Sequence, residues 1–130
     1  FRALGFAPAY WDGHTHLHLH PVVLAITLPV AIEHGFRFTR LVREPRASGR
    51  TRGFLPRVFS ILSARAAPKL CAAGIGFADA VFGLSKSGRM DLDEVRRAVK
   101  CASARLTEIY FHPGAETLLK DPAEVAAIIA

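Results

Sequence analysis

Hydrophobic and polar positions follow two rhythms along this chain, and the rhythm switches repeatedly. From Ala9 to Leu19 the period is two: His14, His16, His18 and His20 take alternate places, with Thr15, Leu17 and Leu19 between them. Successive side chains of an extended strand point to opposite faces. The pattern therefore predicts a strand with histidines on one side and a core face on the other, cut short by Pro21. Val22 to His34 reads as a helix, with Pro29 as a kink or break and Gly35 in the C-terminal position. Phe36 to Val42 alternates again and predicts a strand. Arg43 to Gly53, rich in Arg, Pro, Gly and Ser, predicts a loop.

The second half keeps alternating between helix and strand. Leu55 to Ala73 reads as a helix, with Pro56 near its start, Gly74 past its end and Pro68 as a place to split. Ile75 to Leu84 has room for a short strand, and Ser85-Lys86-Ser87-Gly88-Arg89 reads as a loop. Asp91 to Ala104 predicts a helix with an apolar stripe of Leu92, Val95, Val99 and Ala102 and acidic residues in its first turn. Leu106 to Phe111 predicts a strand ending at His112-Pro113-Gly114. Asp121 caps a last helix through Ile129, with Pro122 at its first position. Such alternation implies an α/β fold with a mainly parallel sheet. Functional groups in these folds gather at the carboxyl ends of strands, so His14 and His112 are candidates to meet in one cleft.

Composition narrows the class. The chain has 130 residues, 51% hydrophobic and 22% charged, which suits one globular domain over residues 1–130. It opens at Phe1 without a signal-peptide layout, so a piece of a longer chain is expected. The longest apolar run, Pro21 to Ile32, is too short for a transmembrane segment. Cys71 and Cys101 fit neither a zinc pattern nor a disulfide framework and read as buried thiols in a reducing, cytoplasmic setting. The net charge is +6, and Arg37, Arg40, Arg43, Arg46, Arg50, Arg52 and Arg57 crowd one stretch. Such a cluster suits phosphate, lipid headgroups or nucleic acid. No aromatic interleaving or nucleic-acid motif accompanies it, so a solvated loop is favoured and no nucleic-acid partner is expected. Phosphate-loop, dinucleotide and nucleophile-elbow motifs are absent.

The histidine row carries the chemistry. Neutral imidazole is the commonest protein metal ligand and a frequent acid–base group. A one-sided row beside Asp12 looks like part of a metal site, with an adventitious surface patch as the plain alternative.

Four ordered blocks resemble the YdjC-like carbohydrate deacetylases. Asp12-Gly13-His14-Thr15-His16-Leu17-His18, followed by Pro21, is similar to the DSHxHxH…P signature. Gly35-Phe36-Arg37-Phe38-Thr39-Arg40 resembles the G-I-R-x-x-R strand that follows it. Phe82-Gly83-Leu84-Ser85-Lys86-Ser87-Gly88-Arg89-Met90 and Leu106-Thr107-Glu108-Ile109-Tyr110-Phe111-His112-Pro113-Gly114 look most like the hopanoid-biosynthesis branch, HpnK. The resemblance implies a partial TIM-barrel-like, polysaccharide-deacetylase-like α/β fold whose N-terminal strands are missing. It implies metal-dependent removal of N-acetyl groups from an amino sugar or glycolipid, with a divalent cation, magnesium first and zinc second. His14 matches a histidine ligand of the family. The family's Asp-Asp motif and other histidine ligand have no counterpart here, so this piece alone is expected to be inactive.

With that resemblance, His112 becomes the donor of a proton to the departing amine; the plain alternative is a strand-end histidine bonded to backbone. Asp12 by parity shares the His14 face and can fix a histidine tautomer, or is simply a loop or cap aspartate. His16 and His18 can line a sugar site or pack as buried polar groups. Tyr10 and Trp11 can stack on a sugar or sit in the core. Arg40 can meet a substrate oxygen or pair with Glu44. Two other functions compete. An amidohydrolase-type metal hydrolase would need further His, Lys and Asp ligands on later strands. A basic module without catalysis would bind anionic lipid or nucleic acid through Arg37 to Arg57. A closed barrel of this kind needs about 250 residues. An unpaired edge strand and an exposed apolar face are therefore expected, making the chain alone poorly soluble or homo-oligomeric.

Overall fold

The computed structural model describes residues 2–7, 9–45 and 54–112. The expected last helix at 121–129, Pro113-Gly114 and most of the arginine-rich loop lie outside them. The chain forms two compact units: Phe1–Val42 with Val58–Ala78, and Arg43–Arg57 with Asp79–Ala130.

In the first unit, strand β1 (Tyr10–Trp11) pairs in parallel with β2 (Phe38–Thr39) in the register Tyr10–Phe38 and Trp11–Thr39. Gly76 continues the ladder beyond β2: its N–H donates to the Arg37 carbonyl at 2.8 Å, and the Thr39 N–H donates to its carbonyl at 3.0 Å. Helix α1 (Pro21–Glu33) starts with Pro21 in its first turn, where a missing N–H costs nothing. Pro29 lies inside α1 and does not end it. The helix is apolar nearly all round, so only part of it reaches the core: Leu24 and Ala31 are buried, while Val22, Ile26, Val30 and Ile32 are exposed. Helix α2 (Phe54–Ala72) likewise runs through Pro68. Leu19, Leu24, Leu41, Val42, Leu70 and Ile75 fill this unit's core. Two of its buried hydroxyls are satisfied: Thr39 Oγ1 donates to the Trp11 carbonyl at 2.9 Å and Ser63 Oγ to the Val42 carbonyl at 2.8 Å.

In the second unit, β3 (Ala80–Phe82) pairs in parallel with β4 (Thr107–Ile109), and the Val81 N–H donates to the Arg43 carbonyl at 2.9 Å. Helix α3 (Leu92–Cys101) is capped by Asp91, whose carboxylate accepts from the Glu94 N–H at 2.9 Å. Asp93 and Glu94 in the first turn and Lys100 in the last complement the helix dipole.

The α/β character and parallel pairing agree with the sequence pattern. Two expectations are corrected. The stripe of α3 is displaced: Ala98 is its buried residue, packed with Ala80 and Phe82, while Leu92 and Val99 are exposed. A methyl side chain at 98 lets the helix approach the strands closely. Cys71 is exposed and Cys101 half-buried, both free thiols. Among the described residues the strands are two to three residues long and close no barrel. No described helix is long and apolar enough to cross a membrane.

Candidate functional site

The histidine segment is not a strand. After β1 the chain turns at Gly13 and winds into a 3₁₀ helix over His14–Leu19, in which Thr15 (φ 54°) and His16 (φ 60°) are left-handed. Left-handed residues other than glycine cost about 1–3 kcal/mol each and persist only where surroundings over-determine them. The winding disperses the row: His14 and His20 are exposed, His16 is half-buried, and His18 is buried at 3% exposure. Leu19 reaches the core, but Thr15 and Leu17, expected beside it, are exposed.

His18 is the pin of this loop. Its Nε2 lies 2.7 Å from the Arg40 carbonyl, and its Nδ1 lies 3.0 Å from the Gly13 N–H. A carbonyl only accepts and an amide N–H only donates. The ring is therefore neutral, with its proton on Nε2. Burial, outweighing the carbonyl and Asp12, holds its pKa below the ordinary histidine value. Both nitrogens are engaged with backbone, so His18 neither lines a sugar surface nor ligates a metal in this arrangement. Gly13 is required by space: a Cβ there would lie 2.9 Å from the His18 backbone nitrogen and 3.0 Å from Nδ1.

Asp12 closes the loop on the other side. One carboxylate oxygen accepts from the Gly13 N–H at 2.8 Å, and the other pairs with the Arg40 guanidinium. His16 Nδ1 is 4.0 Å away, and its ring meets Phe59 edge-on at 5.3 Å. Burial raises the Asp12 pKa, but its contact with His16 and the Arg40 guanidinium outweigh it, so the carboxyl sits below its ordinary value. Arg40 thus pairs with Asp12, while Glu44 lies in the second unit. Tyr10 stacks on Phe38 and Trp11 meets Phe36 edge-on, each at 6.0 Å.

His14 belongs to the first unit and His112 to the second. His112 is exposed beyond β4, with Nδ1 3.5 Å from Ser87 Oγ and its ring 5.6 Å from that of Tyr110. Sequence reasoning missed the group beside it. Glu44 Oε2 accepts from both the Ser85 N–H, at 3.1 Å, and the Ser85 hydroxyl. Glu94 holds Lys86 at 3.1 Å and Arg97 at 3.0 Å. The block Phe82 to Met90, which carries part of the family resemblance, holds Ser85 and Lys86 of this group. Among the described residues no three His, Cys, Asp or Glu side chains group to hold a metal ion. His14 offers one exposed ring, so these residues do not complete a metal site.

Comparison with known proteins gives the class. The chain matches the YdjC-like protein family over residues 1–128 and belongs to it. It is 34% identical to a human carbohydrate deacetylase over 125 residues, covering 85% of this chain and 38% of that protein. It is 29% identical to a zebrafish (Danio rerio) carbohydrate deacetylase, covering 78% of this chain and 34% of that protein. The chain thus spans little more than a third of the length of these curated relatives. No solved structure matches it.

Proposed function

We propose that this chain is part of a hydrolase that removes the acetyl group from an N-acetylated amino sugar. The observation that carries the reading is the family match across residues 1–128, and both curated relatives bear the name carbohydrate deacetylase. The reaction adds water to the amide carbonyl, breaks the C–N bond and releases acetate and a free amine. The departing nitrogen needs a proton as that bond breaks. His112 is assigned that proton, because an imidazole can hold a proton on one nitrogen and give it to a leaving amine and its ring is exposed after a strand. His14 is assigned as one ligand to a divalent cation, magnesium first and zinc second, which when bound polarises a carbonyl and acidifies water. The described residues do not supply the remaining ligands.

The Asp12–Arg40 pair and His18 support the loop that presents His14, which accounts for the strain accepted at Thr15 and His16. The substrate class is an N-acetylated sugar or a hopanoid-linked glycolipid, handled in the cytoplasm on a TIM-barrel-like frame. The test is acetate release from N-acetylated oligosaccharides by the full-length protein, with magnesium, with zinc and after chelation. Acetate and a new primary amine in equal amounts, lost on chelation, are expected. No acetate from any N-acetylated sugar with either metal would overturn the reading.

A further inference from the structure

We infer that Ser87 and Glu44 position the His112 imidazole for proton transfer, Glu44 acting through the turn at residues 85–88. The inference rests on the reading of His112 as proton donor.

Glu44 grips one residue twice. Its Oε2 takes both the backbone N–H and the hydroxyl of Ser85, which fixes main chain and side chain together. A carboxylate accepting two donors makes charge-assisted bonds, roughly twice as strong as neutral ones. The next residue, Lys86, is tied to Glu94 of α3 at 3.1 Å. Glu44, Ser85, Lys86 and Glu94 line one groove with Phe82 and Met90. The turn closes on itself through the Arg89 N–H to the Lys86 carbonyl at 2.7 Å. Two neighbouring residues are thus anchored from separate elements, and the residue after them is Ser87. Its Oγ stands 3.5 Å from His112 Nδ1. On the approach to the turn, Gly83 (φ 123°) lets the chain pass Tyr110, since a Cβ there would lie 2.7 Å from the Tyr110 carbonyl oxygen.

The chemistry explains why the contact falls on Nδ1. A protonated imidazole carries hydrogen on both nitrogens. When the C–N bond breaks, its electron pair stays on nitrogen and takes the proton from His112 Nε2. The neutral ring left behind keeps its hydrogen on Nδ1, and Ser87 Oγ accepts from it. Of the two roles a hydroxyl can take, the accepting one favours the tautomer that proton donation produces.

The test uses the full-length protein with ¹⁵N-labelled histidine. The His112 ring nitrogen shifts report the tautomer, and acetate release gives kcat and KM. Ser87→Ala and Glu44→Ala are expected to move His112 toward the Nε2–H tautomer. They should lower kcat by about ten- to a hundredfold while KM stays within about twofold. Ser87→Thr, which keeps the hydroxyl, and Glu44→Gln, which keeps an acceptor oxygen, should restore most of both. If Glu44→Ala fails to fold, Ser85→Ala removes the hydroxyl bond alone and should shift the tautomer the same way. A His112 spectrum unchanged in Ser87→Ala and in the Glu44 or Ser85 variant would overturn the inference. A variant-dependent tautomer in a protein that releases no acetate would uphold the positioning and overturn the deacetylase reading.

Discussion

Replacing His18 by leucine removes two hydrogen bonds at once from a side chain with 3% exposure. The Arg40 carbonyl loses the Nε2–H donor at 2.7 Å, and a buried acceptor left without its partner costs about 1–3 kcal/mol. The Gly13 N–H loses Nδ1 but keeps Asp12 Oδ1 at 2.8 Å, so this second loss adds only about 0.5–1 kcal/mol. His18→Leu should therefore destabilise the first unit by about 1.5–4 kcal/mol near neutral pH. His18→Gln, which can still donate to the Arg40 carbonyl, should recover about 1 kcal/mol of that. Urea unfolding followed by the single tryptophan, Trp11, reads this unit directly. The pH dependence adds a second check. The folded state holds the His18 pKa below its unfolded value, so between the two values the unfolded chain binds more protons. The stability linked to His18 is present in full above about pH 6.5 and falls away as pH drops below it. The advantage of wild type over His18→Leu should shrink over that acid range. A loss under about 1 kcal/mol, or an advantage that does not change with pH, would refute the neutral, doubly bonded ring.

Other outcomes follow from the same geometry. Gly13→Ala should cost about 1–3 kcal/mol by crowding His18, and combined with His18→Leu it should cost less than the sum, as read by the same urea titrations. Asp12 responds to acid in the same direction at lower pH: its carboxyl is held below its ordinary value, so its contribution is present above about pH 3.9 and is lost as pH falls further. Asp12→Asn should flatten the acid limb of the stability curve. Asp91→Ala removes the cap of α3 and should cost about 1 kcal/mol, with Asp91→Asn recovering most of it, followed by circular dichroism in urea.

The helices were legible because their ends are marked by residues with local meaning. Pro21 opens α1, Asp91 caps α3 through a bond three residues away, and Gly35 and Gly74 follow helix ends. The histidine row was misread because its alternation does not correspond to the burial of a segment that winds through two left-handed residues. Thr15 and His16 carry no glycine to announce that backbone. The stripe of α3 was displaced because hydrophobicity favoured Val99, whereas close approach to the strands favoured Ala98. The site was legible only as residue types. His14, His112, Asp12 and Arg40 stood out, but the pairing of Arg40 with Asp12 and of Glu44 with Ser85 did not. Arg40 reaches Asp12 across 28 positions and Glu44 reaches Ser85 across 41, distances that no local pattern encodes.

On the proposed reading, two histidines of one chain take two different roles, His14 holding the metal and His112 supplying the proton. Calorimetric titration of magnesium and zinc into the full-length protein and its His14→Ala and His112→Ala variants, with acetate release measured on the same samples, tests it most directly. The expected result is that His14→Ala loses metal affinity, while His112→Ala keeps it and loses turnover. Equal loss of metal binding in both variants would contradict the account and make His112 a ligand.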